Sequence, residues 1–323
     1  MNARRSQSGF VLVATIWLSL IVFVLAGIFN FYASQQLERA IASKERIQEQ
    51  LDISALLSTL LFTVSTSGMD RSGVVLEGEH LRLDGTVYRG FGDLFFSVND
   101  QAGLVGLNPE NNLHLENLLR AFETDGLKRS ALLNSLADYI DLDQRPRLGG
   151  REAAAYRVAS LPAPTNEYLK SVRELNQVYG WDEWLTEHPE FESDHWLSTN
   201  WRSRLNVNSA PEPLLRQVLP LSTTAKQELI ERRRKQPFGN SRDLNSVTRL
   251  RAELDEDFYT FFPIHELRFR IFSGNNLNIY TIIVFFNPMS MTAPWEIDHR
   301  YQIERNFEIR KPAGTLASSN FDR

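Results

Sequence analysis

The sequence predicts an α+β fold: a long N-terminal helix, then an antiparallel sheet whose strands are divided by a large all-α insertion. Three observations predict it. No charge occurs between Arg5 and Glu38, and Tyr32 to about Ser67 keeps helical character without Gly or Pro. Strand-like runs fall into two separated groups, 69–105 and 263–310. The 106–262 block between them reads as short, capped helices. Antiparallel strands distant in sequence can share one sheet, so a single domain with an insertion is preferred over successive separate domains.

Phe10 to Phe29 alone forms a helix of roughly 30 Å, the thickness of a bilayer core, so this run spans a membrane. Arg4 and Arg5 precede it, which leaves the N-terminus in the cytoplasm and sends the rest of the chain across. A cleaved secretory signal fits less well. Leu25-Ala26-Gly27 is a weak cleavage site, and Ile28 to Tyr32 continue apolar beyond it. Past the span, Leu37, Ile41, Ile47, Leu51, Leu57 and Leu61 form an apolar stripe among charges, and Gly68 supplies a stop signal. Domain boundaries follow as 1–9, 10–68, 69–105, 106–262, 263–310 and 311–323, the last a polar tail.

Gly73 to Leu76, Leu81 to Leu83 and Thr86 to Val98 read as strands, with Asp84-Gly85 as a hairpin turn. In the helical block, Asn108-Pro109 is expected to cap the helix over Leu113 to Phe122. Ser209 to Glu212 and Thr224 to Gln227 have capping-box spacing. Trp181, Trp184, Trp196 and Trp201 supply large apolar anchors for a core or an interface. Strands resume where Leu267, Phe269 and Ile271 alternate with arginines. Ser273-Gly274-Asn275-Asn276 turns the chain, Asn278 to Phe286 returns, and Ile297, His299, Tyr301 and Ile303 mark one more strand.

With 323 residues, 42% of them hydrophobic, the chain can build one large core or two smaller ones. The absence of cysteine excludes disulfides, zinc-thiolate sites and thiol catalysis. A formal charge of -5 argues against a surface built mainly for nucleic acid. His265-Glu-Leu-Arg lacks the second histidine of a metalloprotease helix, and neither Gly-x-Ser-x-Gly nor a P-loop occurs, so an anchored hydrolase rests on no motif. Asp138, Asp141, Asp143 and Glu152 form a carboxylate cluster of metal-like density beyond a helix C-terminus, where negative charge needs compensation. Calcium, which takes roughly six to eight oxygen ligands, is one solution; Arg145, Arg147 and Arg151 are the other.

Leu205-Asn-Val-Asn-Ser-Ala-Pro211, Leu229 to Phe238 and Asp243-Leu244 resemble the helix-hairpin-helix (SAM-like) unit of a membrane-anchored competence DNA receptor. That receptor is the alternative reading. Its phosphate-binding glycines are missing from Leu219-Pro-Leu-Ser-Thr-Thr-Ala225, and Arg232 to Lys235 is expected to be a solvated run.

Gly9-Phe10 after a short basic leader resembles the processing signal of type IV pilins and pseudopilins. Asp100-Gln-Ala-Gly-Leu-Val-Gly-Leu-Asn108, Leu133-x-x-Leu-Ala-Asp138-x-x-Asp141-x-Asp143, Gly149-Gly150-x-Glu152, Ser171-Val-x-Glu-Leu175 and Leu205 to Pro211 follow in family order. With them the chain resembles the K-type minor pseudopilins of type II secretion. The resemblance implies a type IV pilin-like fold and no enzymatic activity. It implies prepilin peptidase cleavage between Gly9 and Phe10, with methylation, and an inner-membrane subunit with a periplasmic C-terminal domain. Partners would be the I and J minor pseudopilins, other pseudopilins and inner-membrane secretion components. Most such subunits carry Glu at the fifth mature position, where this chain has Ala14, an omission the K class shares. The resemblance implies a fibre-tip position that nucleates or caps assembly. It also associates calcium with the acidic loop, although Ala154-Ala155 stands where the family often has an acidic pair.

Overall fold

Residues 8–108, 112–248, 257–274 and 278–304 are described by the computed structural model, which divides into two units, Met1–Ala55 and Leu56–Arg323. The expected leader residues 1–7, Pro109, Asn275, Asn276 and the tail from Lys311 lie outside the described residues.

One helix, α1, runs from Ser8 to Thr66. In the first unit it carries apolar side chains all round from Phe10 to Phe31, nearly all exposed. A soluble helix presents one apolar stripe, whereas an all-round apolar surface suits lipid or neighbouring helices. In the second unit Leu56, Leu60 and Val64, one turn apart, are buried. The helix closes with Ser67 N donating to Thr63 O at 3.1 Å, one residue before Gly68.

The strands before the insertion are β1 (Met69–Asp70), β2 (Gly73–Val75), β3 (His80–Leu81), β4 (Asp84–Arg89) and β5 (Leu94–Asp100). β6 (Val105–Gly106) leads into α2 (Leu113–Arg120), α3 (Gly126–Ile140), α4 (Ala153–Val158), α5 (Trp181–Glu187) and α6 (Ser193–Trp196). Then come β7 (Leu197–Ser198), β8 (Leu205–Asn206), α7 (Glu212–Val218), α8 (Thr223–Lys235), α9 (Ser241–Thr248) and β9 (Tyr259–Thr260). β10 (Glu266–Ser273), β11 (Asn278–Phe286) and β12 (Trp295–Glu304) complete the described strands.

The principal sheet has the order β12-β11-β10-β5-β4, antiparallel throughout. β5 and β10 join the two strand groups in one ladder, with Val98 opposite Phe269 and Phe96 opposite Ile271. The helix meets this sheet where Leu56 lies over Gly90; a Cβ there would come 2.7 Å from Leu56 Cδ2.

Several expectations are corrected. Asp84-Gly85 is a bulge inside β4, with Gly85 at φ +82°, and the turn lies further on, where Gly90 N donates to Leu94 O. The helical block is not wholly α: β6 pairs in parallel with β7, and β8 with β9, as two-residue bridges too short for any periodic signal. Three helix starts move. Asn112 caps α2, Ser222 caps α8, and α7 begins after Pro211 without a side-chain cap.

The arginines of β10 alternate with its apolar residues as expected, yet they do not face solvent. Arg268 and Arg270 are buried, because the insertion covers the second face of the sheet. Arg268 donates to Asp194 O at 2.7 Å and Leu197 O at 2.9 Å, and Arg270 also donates to Asp194 O. Trp181, Trp184 and Trp196 pack in the core of the insertion, with Trp181 Nε1 donating to Leu132 O at 2.9 Å. Trp201 instead is 66% exposed.

Candidate functional site

Gly9, Phe10 and Ala14 lie in the first turns of α1, and Phe10 and Ala14 are exposed. Among the described residues, α1 is the one helix long and apolar enough to cross a membrane. No carboxylate or cation interrupts it before Glu38.

The acidic residues cluster where α3 ends and α4 begins. Asp138 is fully buried on the last turn of α3 and accepts from Arg147 N at 3.1 Å and Arg147 Nη1 at 2.8 Å. Asp141, the C-terminal cap of α3, pairs with the same guanidinium, and these two bonds hold the Arg147 pKa above its usual value. A Cβ on Gly150 would collide with Asp138 Oδ2, which accounts for glycine at that point of the loop. Asp143 accepts from Arg145 N at 2.7 Å. Arg151 turns away, donating to Gly150 O at 2.8 Å and covering the Tyr179 ring. Of the three expected arginines, therefore, only the Arg147 side chain neutralises the cluster.

Asp141, Asp143 and Glu152 each bring an oxygen within 4.8 Å of the others, while Asp138 is taken up by Arg147. Glu152 is buried, and neither of its carboxylate oxygens has a hydrogen-bond donor; Asp141 Oδ1 also lacks one. Burial, then Asp138, Asp141 and Asp143, raise the Glu152 pKa. Buried acceptors without donors are costly, and a cation resolves that cost. An all-oxygen set of carboxylates fits a hard cation such as calcium.

A second polar centre organises the motifs without having been assigned a role from the sequence. Asp100, at the end of β5, is buried and accepts four hydrogen bonds. Ala102 N (3.0 Å) and Ile264 N (3.1 Å) reach Oδ1; Asn206 Nδ2 (2.9 Å) and Ser209 Oγ (2.6 Å) reach Oδ2. Asn208 accepts from Phe238 N at 2.9 Å and donates to the carbonyls of Phe238 and Phe261. Asn108 bridges Leu169 and Thr199 in the same manner. An acid ending an apolar strand was the available signal, but its partners lie far away in sequence. The Arg232 to Lys235 run is mostly occupied. Arg232 pairs with Asp243, Arg233 is buried against Val207 O and Ala210 O, and Arg234 pairs with Glu212.

Fold and site together define a class: a pilin-like protein on one long apolar-headed helix, with a helical insertion bearing an acidic loop. Residues 96–188, which contain that loop, match the family model described as type II secretion system (T2SS), protein K. Over those residues the chain is similar to the K proteins of type II secretion. A similar solved chain occurs in the crystal structure of the GspK-GspI-GspJ complex from the enterotoxigenic Escherichia coli type 2 secretion system. The two share a TM-score of 0.54 and 16% identity over 82% of this chain and 99% of that one, a likeness of fold. No curated protein matches the sequence.

Proposed function

We propose that this chain is a tip subunit of the type II secretion pseudopilus, inserted as a single pass with its N-terminus in the cytoplasm and the remainder in the periplasm. Prepilin peptidase would release the leader after Gly9, which removes Arg4 and Arg5 and takes the formal charge from -5 to -7. The observation that carries the reading is Ala14, a residue without charge in an apolar helix at the fifth mature position. A subunit with a neighbour above it gains from a carboxylate there, paired with that neighbour's free amine; without that neighbour the carboxylate would be stranded in hydrocarbon. The bulk of the insertion supports the same reading, since it would obstruct stacking above the sheet.

The partners in this proposal are the I- and J-class minor pseudopilins. They would be held by helix association in the membrane and by sheet and apolar contacts outside it. Asp141, Asp143 and Glu152 would hold calcium, which supplies positive charge that fixes the loop between α3 and α4. Pulldown of the I and J proteins that depends on Phe10 to Ser67 tests the assembly role. Unimpaired secretion in cells lacking the chain would count against it.

A further inference from the structure

A cleft of about 330 Å³ opens between the β1 to β4 strands and α8. The chain as a whole is acidic, at -5, yet Arg71, Arg82, Arg233, Arg234 and Lys235 line this cleft against the single carboxylate of Asp84. Asp84 is committed to Arg82, whose Nε and Nη2 lie at 3.1 and 2.5 Å, and it stands 4.0 Å from Arg233. Glu212 takes up Arg234. Among the described residues neither Arg71 nor Lys235 has a carboxylate partner; Arg71 rests on the Phe262 ring at 4.5 Å. Arg233, 5% exposed, leaves its Nε without an acceptor. A buried guanidinium with an unfilled donor beside two unpaired cations is a poor arrangement unless an anion completes it.

We infer that this cleft binds a small polyanion, a ligand with two or more negative charges on phosphate or carboxylate oxygens. A single carboxylate would leave most of the positive charge uncompensated. Guanidinium forks match the geometry of both phosphate and carboxylate oxygens. The volume lies at the lower end of the range for small-molecule sites, which admits a compact ligand and not a folded partner. Arg71 and Lys235, both exposed at the mouth, give specificity for charge, while Arg233 forms the floor.

The test is calorimetric titration of the full chain in detergent, freed of divalent ions on a chelating resin, with pyrophosphate, citrate and a short single-stranded oligonucleotide. Saturable binding of pyrophosphate or citrate that weakens with salt is expected, and the better ligand identifies the oxyanion source. Arg71→Gln and Lys235→Gln should each weaken it by about tenfold, the loss of one charged hydrogen bond, with unfolding of the free protein unchanged. Absence of saturable binding of both small anions, binding by both variants as tight as by wild type, or binding of the oligonucleotide alone would overturn the assignment.

Discussion

Ser209 Oγ donates a 2.6 Å hydrogen bond to Asp100 Oδ2 across 109 positions of sequence. The bond fastens the end of β5 to the segment before α7, so the sheet and the insertion are closed on each other through one buried carboxylate. Asp100→Asn keeps the shape but presents an amide N-H₂ to groups that are themselves donors. Thermal unfolding of the full chain should show a loss of about 3 kcal/mol for Asp100→Asn and about 1–2 kcal/mol for Ser209→Ala. Equal stability of Asp100→Asn and wild type would remove Asp100 from this role.

The same junction leaves no room beside Gly106 in β6. A Cβ there would sit 2.5 Å from Asn200 O, a backbone atom that can yield only if the chain moves. Gly106→Ala is expected to cost about 1–3 kcal/mol. A melting temperature equal to wild type would show that the loop carrying Asn200 gives way freely.

Acid should act on the interface through His195. Burial, then Arg270 and Arg268, push its pKa down to about 2. The unfolded chain takes up a proton on this histidine near its ordinary value of about 6.5, whereas the folded chain does not. The stability it contributes is therefore intact above about pH 6.5 and is lost as the pH falls from there. Asp100 works in the opposite sense, because burial raises its pKa to about 6 and the folded state keeps a proton that the unfolded state releases. Unfolding profiles measured down to about pH 4 should be shallower for His195→Gln and steeper for Asp100→Asn. Superimposable profiles for His195→Gln and wild type would contradict the assignment.

Calcium and Glu152 give a prediction with two signs. In metal-free protein Glu152→Gln should be no less stable than wild type, because it removes a buried negative charge beside Asp141 and Asp143. With calcium added, the wild type should gain melting temperature in proportion to occupancy and the variant should gain little. An equal gain in both would place the ion elsewhere.

The long helix, the two strand groups and the helical block between them were legible because each leaves a periodic or compositional trace over many residues. The acidic loop was legible as a density of carboxylates on either side of Gly149-Gly150. Which carboxylates converge was not, since Asp138 is withdrawn by Arg147, a contact made only when the loop folds back. The burial of Arg268 and Arg270 was not legible, because alternation in β10 describes one sheet face and is silent about what covers the other. The cap at Asn112 is masked in the sequence by Asn108-Pro109, which offers the same chemistry four residues earlier, whereas in the fold Asn108 serves Leu169 and Thr199. Ser209 likewise had capping-box spacing, yet its hydroxyl is spent on Asp100.

The claim that this chain works as a processed pseudopilin rests on its N-terminus, and N-terminal sequencing of the mature protein from membranes tests it most directly. Phe10 as the first residue is the result expected. Met1, or a residue near Gly27, would contradict it.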